Sequence, residues 1–304
     1  MRPQVLRLAV TGRHGQLARA LVAAGPIKSW DIITLGRPDF DLARPETIAT
    51  ALISARPDVI INAAAWTAVD LAESHQQEAM AVNGHAAGVL AATAARLKVP
   101  IIHLSTDCVF DGAKAAAYQE SDIPSPLSAY GRSKQEGEQR IGETMANHVI
   151  VRTSWVFAAK GKNFPLTMLS LAASRDEISV VADQFGCPTY APDLADALLD
   201  IAARLVAEPG NMRLRGIFHI AGQGELSWAD FASAVFEESR RLGGPFASVR
   251  RITTAEYPTP ARRPANARLD SGKARAIYGL VLPHWQDSIR RCLIETLTAS
   301  AQGI

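Results

Sequence analysis

The sequence predicts an α/β fold, a doubly wound parallel sheet with a smaller C-terminal lobe. Three observations carry this. Short β-branched strands alternate with helical stretches through the first half of the chain. The first strand runs straight into a glycine turn that opens a helix. The second half loses that rhythm and holds only scattered strands.

Taken in order, the apolar runs are residues 6–10, 32–35, 58–62, 100–104 and 149–152. Helical stretches lie between them, notably 86–98 and 128–144. Unbroken apolar strands belong to sheets covered on both faces. Right-handed crossovers between them wind such strands into a Rossmann-type sheet. Further on, helices are expected at 163–174, 192–205, 227–239 and 284–297, and strands at 178–181 and 216–220. Asp193 sits near the start of the second of these helices, where the helix dipole favours it. Ser227 followed by Asp230 is an N-cap pattern. Residues 258–264, rich in Pro and Arg, predict a loop of limited freedom. Residues 1–155 are therefore expected to form mainly a dinucleotide-binding domain, with part of 180–222 returning to it. Residues 156–304 are expected to form mainly a substrate-binding lobe, interleaved with the first.

Composition narrows the function. The chain has 304 residues, is 48% hydrophobic and has a formal net charge of +2. That length supports a large buried core, and the balanced charge gives no reason to expect a nucleic-acid partner. No apolar run is long enough to span a bilayer, and Met1–Gln4 leads into a strand without the features of a signal peptide. Cys108, Cys187 and Cys292 are far apart and odd in number, which predicts reduced thiols in a cytoplasmic protein. The seven histidines have no metal-ligand spacing, so no metal is expected.

Gly12 and Gly15 in Thr11–Ala18 allow a tight turn and a close backbone approach to a pyrophosphate. The helix that follows supplies N–H donors and positive potential. The spacing is G-x-x-G-x-x-A, an ordinary strand–helix turn in other contexts and a dinucleotide site in this one. After the second strand an acidic residue would bind ribose hydroxyls and indicate NAD. Arg37 stands there instead and could meet a 2′-phosphate, which favours NADPH and leaves NADH possible. Asp41 and Leu42 could border the adenine. Ala65, Trp66 and Thr67 leave the third strand, where small side chains make room for the cofactor.

Tyr130 and Lys134 are four residues apart, so on a helix they share a face. An ammonium near a phenol lowers its pKa from about 10. Such a phenol can protonate a developing alkoxide. Thr106 closes the fourth strand, on the sheet edge where ligands bind, and could hold a substrate carbonyl. Lys134 could also grip a nicotinamide ribose. Each residue alone has an ordinary structural explanation. Together they point to a ketone reductase.

The Thr–Tyr–Lys set and the T-G-x-x-G turn resemble the extended short-chain dehydrogenase/reductases. More narrowly, the chain resembles the dTDP-4-dehydrorhamnose reductase family nearly end to end. The matching blocks are 62–73 (NAAAWTAVDLAE), 105–112 (STDCVFDG), 130–138 (YGRSKQEGE), 152–157 (RTSWVF), 183–189 (DQFGCPT), 257–266 (YPTPARRPAN) and 282–285 (LPHW). The resemblance implies reduction of the C4 ketone of dTDP-4-dehydro-6-deoxy-L-mannose to dTDP-L-rhamnose, with NADPH or NADH. It implies Thr106, Tyr130 and Lys134 as the catalytic set, and Gly15, Gln16, Leu17, Asp41, Leu42, Ala65, Trp66 and Thr67 as cofactor contacts. It implies Thr106, Asp107 and Trp155 as sugar-nucleotide contacts, Trp155 offering a broad apolar face. Arg262 and Arg263 could neutralise the substrate diphosphate.

Two positions depart from the family pattern. Cys108 stands where members usually have Tyr, which leaves sugar preference open. Some members hold Mg²⁺ at a dimer interface through an acid early in the first helix. Residues 16–24 contain no acid, so a homodimer is possible here but without that metal. Other outcomes are a reductase of a different dTDP-4-keto-deoxysugar, or a non-catalytic regulatory subunit of a methionine adenosyltransferase. A 4,6-dehydratase would need Asp-Glu after the threonine, and this chain has Asp107-Cys108.

Overall fold

The computed structural model describes residues 5–301, with the side chains of 299–301 excepted. The expectation for Met1–Gln4 lies outside the described residues. The first strand, β1 (Leu6–Thr11), lies beside β2 (Trp30–Leu35) on one side and β3 (Val59–Asn62) on the other. Next come β4 (Ile101–Thr106), β5 (His148–Thr153) and the strand Gly216–His219, giving a six-stranded sheet with every pairing parallel. The strands β3 and β4 are buried along their whole length, as expected of strands covered on both faces.

Alternate side chains feed two cores. Leu8, Val10, Ile61, Leu104 and Val151 pack with helices Gln16–Ala24 and Ala191–Ala207. Ala9, Ile60, Ile101 and Ile150 face helices Glu46–Ala55, Ala86–Leu97 and Ala129–Thr144. The chain runs from β1 outward to β2, then crosses to β3 on the opposite side of β1. The crevice between the carboxyl ends of β1 and β3 is thus the topological switch point, where open α/β sheets bind ligands.

A third core lies in the C-terminal half. Helices Phe164–Ala172, Trp228–Arg241 and Trp285–Ala301 surround the parallel pair Glu177–Val181 and Ser248–Ile252. Ser227 caps its helix in a complete capping box with Asp230, as the sequence pattern predicts. The strand Ser248–Ile252 was not foreseen. It carries the exposed Arg250 and Arg251, whose charges conceal a strand at an edge. Helices Glu46–Ala55 and Gly272–Tyr278 and the short turns after β3 also escaped the sequence reading. Among the described residues, no helix is long and apolar enough to cross a membrane.

Candidate active site

The cofactor turn has the geometry its glycines imply. Gly12 takes φ of +93° and donates to the Leu35 carbonyl at 2.7 Å, joining the turn to the end of β2. A side chain on Gly12 would meet Ala64, whereas one on Gly15 would have nothing within 4 Å. Gly15 thus opens onto free space at the helix start, and no side chain caps that helix. An uncapped helix N-terminus beside open space suits a pyrophosphate. Gln16 is held by the C-terminal half, its Oε1 accepting from Asn163 Nδ2 at 2.8 Å. Leu17 packs partly buried against the core beside Ala18.

At the end of β2, Arg37 is exposed. A second arginine, missed in the sequence, lies beside it. Arg13 passes over Gly36, donates to the Arg37 carbonyl at 2.9 Å and stands 3.6 Å from Asp39. The absence of a side chain at Gly36 is what permits this, since a Cβ there would sit 2.9 Å from Arg13 Cγ. The signal was available in a basic residue inside the glycine turn. The two residues expected near the adenine have contacts within the chain. Asp41 Oδ1 accepts from the Ala43 N–H at 3.0 Å, and Leu42 is buried in the core under helix Glu46–Ala55.

Past β3, Ala65 and Trp66 are half-buried and Thr67 is exposed. Asn83 fixes this loop. Its Oδ1 accepts from the Trp66 N–H at 2.8 Å, and its Nδ2 donates to the Trp66 carbonyl and to Ser133 Oγ at 2.9 Å. Asn83 lies in a π-helical turn, Ala81–His85, of the kind that recurs at functional sites. The sequence reading had passed over it.

The structure brings Thr106, Tyr130 and Lys134 together. Thr106 ends β4, and helix Ala129–Thr144 starts beside it, capped by Ser128. Tyr130 is half-buried against Trp66, Ala72 and Ala79, with its hydroxyl in contact with Thr106. Lys134 is buried, and its Nζ donates to the Leu104 carbonyl at 2.5 Å. The electrostatics differ from the sequence expectation. Burial, helped by Cys108 and Asp107, pushes the Tyr130 phenol above its usual value. Burial also lowers Lys134 from 10.5 to about 8, against an opposing pull from Glu138. The phenol is therefore firmly protonated, and the amine is the group poised near neutrality.

That value yields a test. Between about 8 and 10.5 the unfolded chain holds a proton that folded Lys134 has lost, so stability rises with pH across this window. Below it both states are protonated and the cost of burying the ammonium is fully present. Denaturant unfolding should show this rise in the wild type and a smaller one in Lys134→Met. Parallel curves for the two proteins would contradict it.

A glycine holds the helix close to β4. A Cβ on Gly131 would lie 2.2 Å from the Cys108 carbonyl oxygen and 2.8 Å from Pro126 Cβ. Gly131→Ala must move the helix start and carry Tyr130 away from Thr106. We expect kcat to fall by about 10²-fold, the scale of a misplacement near 1 Å, and stability by about 1–3 kcal/mol. Unchanged kcat in the folded variant would refute the close-packing account.

Three expected substrate contacts have partners within the chain. Asp107 is buried and both its oxygens are engaged, one by Thr106 Oγ1 at 2.8 Å and one by Ser154 Oγ at 2.7 Å. It orients Thr106 from behind. The charge of Arg263 is met by Asp70, in contacts of 3.1 and 2.8 Å, so it ties residues 258–264 to the turn Val69–Ala72. Arg262 is exposed. Trp155, held at φ of +46°, is stacked on Trp228 at 3.4 Å between ring centroids and 7° between planes. Trp228 occupies one face of the ring expected to meet the sugar, and Gly186 leaves space for the ring itself. Cys108 lies beside the phenol, and its thiol is pushed far above the usual range by burial and by Asp107.

The family model described as RmlD substrate binding domain matches residues 6–298. A dTDP-4-dehydrorhamnose reductase of Sinorhizobium fredii is 52% identical over 94% of this chain and 96% of its own length. The chain belongs to the dTDP-4-dehydrorhamnose reductase family. It is thereby an oxidoreductase. The Escherichia coli K12 reductase of this family is 41% identical, covering 98% of this chain and 99% of its own. A Bacillus anthracis reductase, solved in complex with NADP, superposes with a TM-score of 0.88 at 32% identity, over 96% of this chain and 99% of that one.

Proposed function

We propose that this protein reduces the C4 ketone of dTDP-4-dehydro-6-deoxy-L-mannose to dTDP-L-rhamnose, using NADPH in preference to NADH, in the cytoplasm. The observation that carries the reading is the convergence of Thr106, Tyr130 and Lys134 at the carboxyl end of β4, beside an uncapped glycine turn. The NADP complex of the Bacillus anthracis relative supports the cofactor. Three free thiols suit a reducing compartment.

Bound reduced nicotinamide supplies the hydride. The chain's own residues do the rest. The Gly12–Gly15 turn and the helix start hold the pyrophosphate. Arg13 and Arg37 meet a 2′-phosphate. Thr106, its oxygen placed by Asp107, turns its one hydroxyl proton from that carboxylate to the ketone oxygen. Tyr130, kept protonated by burial, gives its proton to that oxygen as charge develops on it. Lys134 then returns a proton to Tyr130.

Each end of the site has its own test. Arg13→Ala should raise KM for NADPH by about 10–100-fold, the loss of a charge-assisted contact, and leave KM for NADH nearly unchanged. Equal effects on both would remove Arg13 from phosphate recognition. For the reaction, purified protein is given the dTDP-4-keto-6-deoxy-L-sugar and NADPH, loss of NADPH absorbance is followed, and the product is identified by NMR. dTDP-L-rhamnose is expected. A different deoxysugar would favour the second reading, a reductase of another dTDP-4-keto sugar, which Cys108 in place of the usual Tyr supports. No turnover, with capture of a methionine adenosyltransferase, would favour a regulatory subunit.

A further inference from the structure

One buried histidine lies outside the roles described so far. His103 on β4 is 1% exposed and stands between the cofactor turn and Lys134. Its Nδ1 is 2.8 Å from Asn62 Nδ2, and its Nε2 is 3.5 Å from Lys134 Nζ. Asn62 Oδ1 accepts in turn from Thr11 Oγ1 at 2.6 Å, and Thr11 Oγ1 accepts from the Ala64 N–H at 3.0 Å.

These four contacts have one consistent polarity. The Ala64 amide hydrogen fills one acceptor site of Thr11, and the Thr11 proton goes to Asn62 Oδ1. The Asn62 amide then donates to His103 Nδ1. A neutral His103 must therefore carry its hydrogen on Nε2, facing Lys134. The reverse polarity would aim two donors at Thr11 Oγ1 and leave the Thr11 proton without an acceptor among the described residues. An ammonium offers only donors and clashes with an Nε2–H. A neutral amine has a lone pair that accepts it, while one of its own hydrogens goes to the Leu104 carbonyl.

We propose that His103 is a positioning residue for proton delivery, its Nε2–H stabilising the neutral amine that Lys134 becomes after giving a proton to Tyr130. The proposal rests on the reading of Lys134 as the proton source for Tyr130. The proton ledger closes: Tyr130 protonates the alkoxide, Lys134 reprotonates Tyr130, and solvent reprotonates Lys134. Burial already lowers the amine to about 8, and the network adds a partner for its neutral form. The groups acting on the pair are Glu138 on the lysine's own helix and His148 on β5. Glu138 is itself paired with Arg152 on β5.

The wild-type protein alone gives the first test. The ¹⁵N shifts of the His103 imidazole should report hydrogen on Nε2, and hydrogen on Nδ1 would overturn the proposal. Two variants give the second. His103→Gln presents a carbonyl that can accept from the ammonium. Asn62→Asp draws the imidazole hydrogen to Nδ1 and leaves a lone pair facing Lys134. The Lys134 Cε signal, followed by ¹³C NMR and assigned by its loss in Lys134→Arg, should titrate about one pH unit higher in either variant. The alkaline limb of kcat/KM should move with it. An unmoved or lower midpoint in a folded variant would overturn the proposal. Should Lys134→Met keep its turnover, the catalytic reading of Lys134 fails while the tautomer result stands. An Nδ1-protonated His103 with an inactive Lys134→Met has the opposite meaning.

Discussion

Replacing Tyr130 by Phe should lower kcat by about 10²–10⁴-fold, the range for loss of a positioned general acid, while NADPH still binds with unchanged affinity. The reason is local. The ring packs against Trp66, Ala72 and Ala79, contacts that Phe preserves, and only the hydroxyl touching Thr106 is lost. Burial holds the phenol above its usual pKa, so wild-type Tyr130 enters each cycle as an acid. Steady-state turnover and fluorescence titration with NADPH separate the two effects. A variant that keeps most of its turnover would remove Tyr130 from proton donation. One that loses cofactor affinity would give it a binding role instead.

The largest stability effect is expected at Glu138. Its carboxylate forms a bidentate pair with Arg152, at 2.9 Å to Nε and 2.6 Å to Nη2, and both side chains are almost fully buried. Arg152 also lies over the Phe110 ring. Glu138→Ala strands a guanidinium in the interior, and removing one partner of a buried pair costs about 3–5 kcal/mol. In a chain of this size that lowers Tm by on the order of 10 °C. The exposed pair Arg241–Glu237 is the contrast, since such pairs contribute little. Calorimetry on Glu138→Ala and Glu237→Gln should show a large drop only in the first. Equal melting temperatures would contradict the account of the buried pair. The two residues are 14 positions apart, on helix Ala129–Thr144 and β5. The pair therefore anchors the helix that carries Tyr130 and Lys134.

The sheet was legible because its signals are local. Apolar runs gave all six of its strands to within about two residues, and Ser227 with Asp230 marked a helix start. The same holds for the site's nucleus, since Tyr130 and Lys134 are one helical turn apart and the glycine turn is contiguous. Contacts between distant residues were not legible. Nothing in the Pro- and Arg-rich loop reveals that Arg263 is spent on Asp70, 193 residues away. Nothing near Trp155 announces that Trp228 will cover its ring. The tuning of Tyr130 was misjudged for a related reason. Spacing shows which side chains share a face, but not how deeply the fold buries them, and burial decides the phenol's proton affinity. Asn83 and His103 escaped because a lone buried Asn or His is usually a satisfied core residue. Only their partners distinguish them.

The most direct test of the central claim follows the two hydrogens added to the ketone. The dTDP-4-keto-6-deoxy-L-sugar is reduced with NADPH carrying deuterium on the transferred position, and the product is examined by ¹H NMR. The account predicts deuterium bound to sugar C4, with loss of the H4 signal and ordinary exchangeable hydrogen on O4. Consumption of the sugar with an intact H4 signal, or no transfer with the wild-type protein, would contradict it.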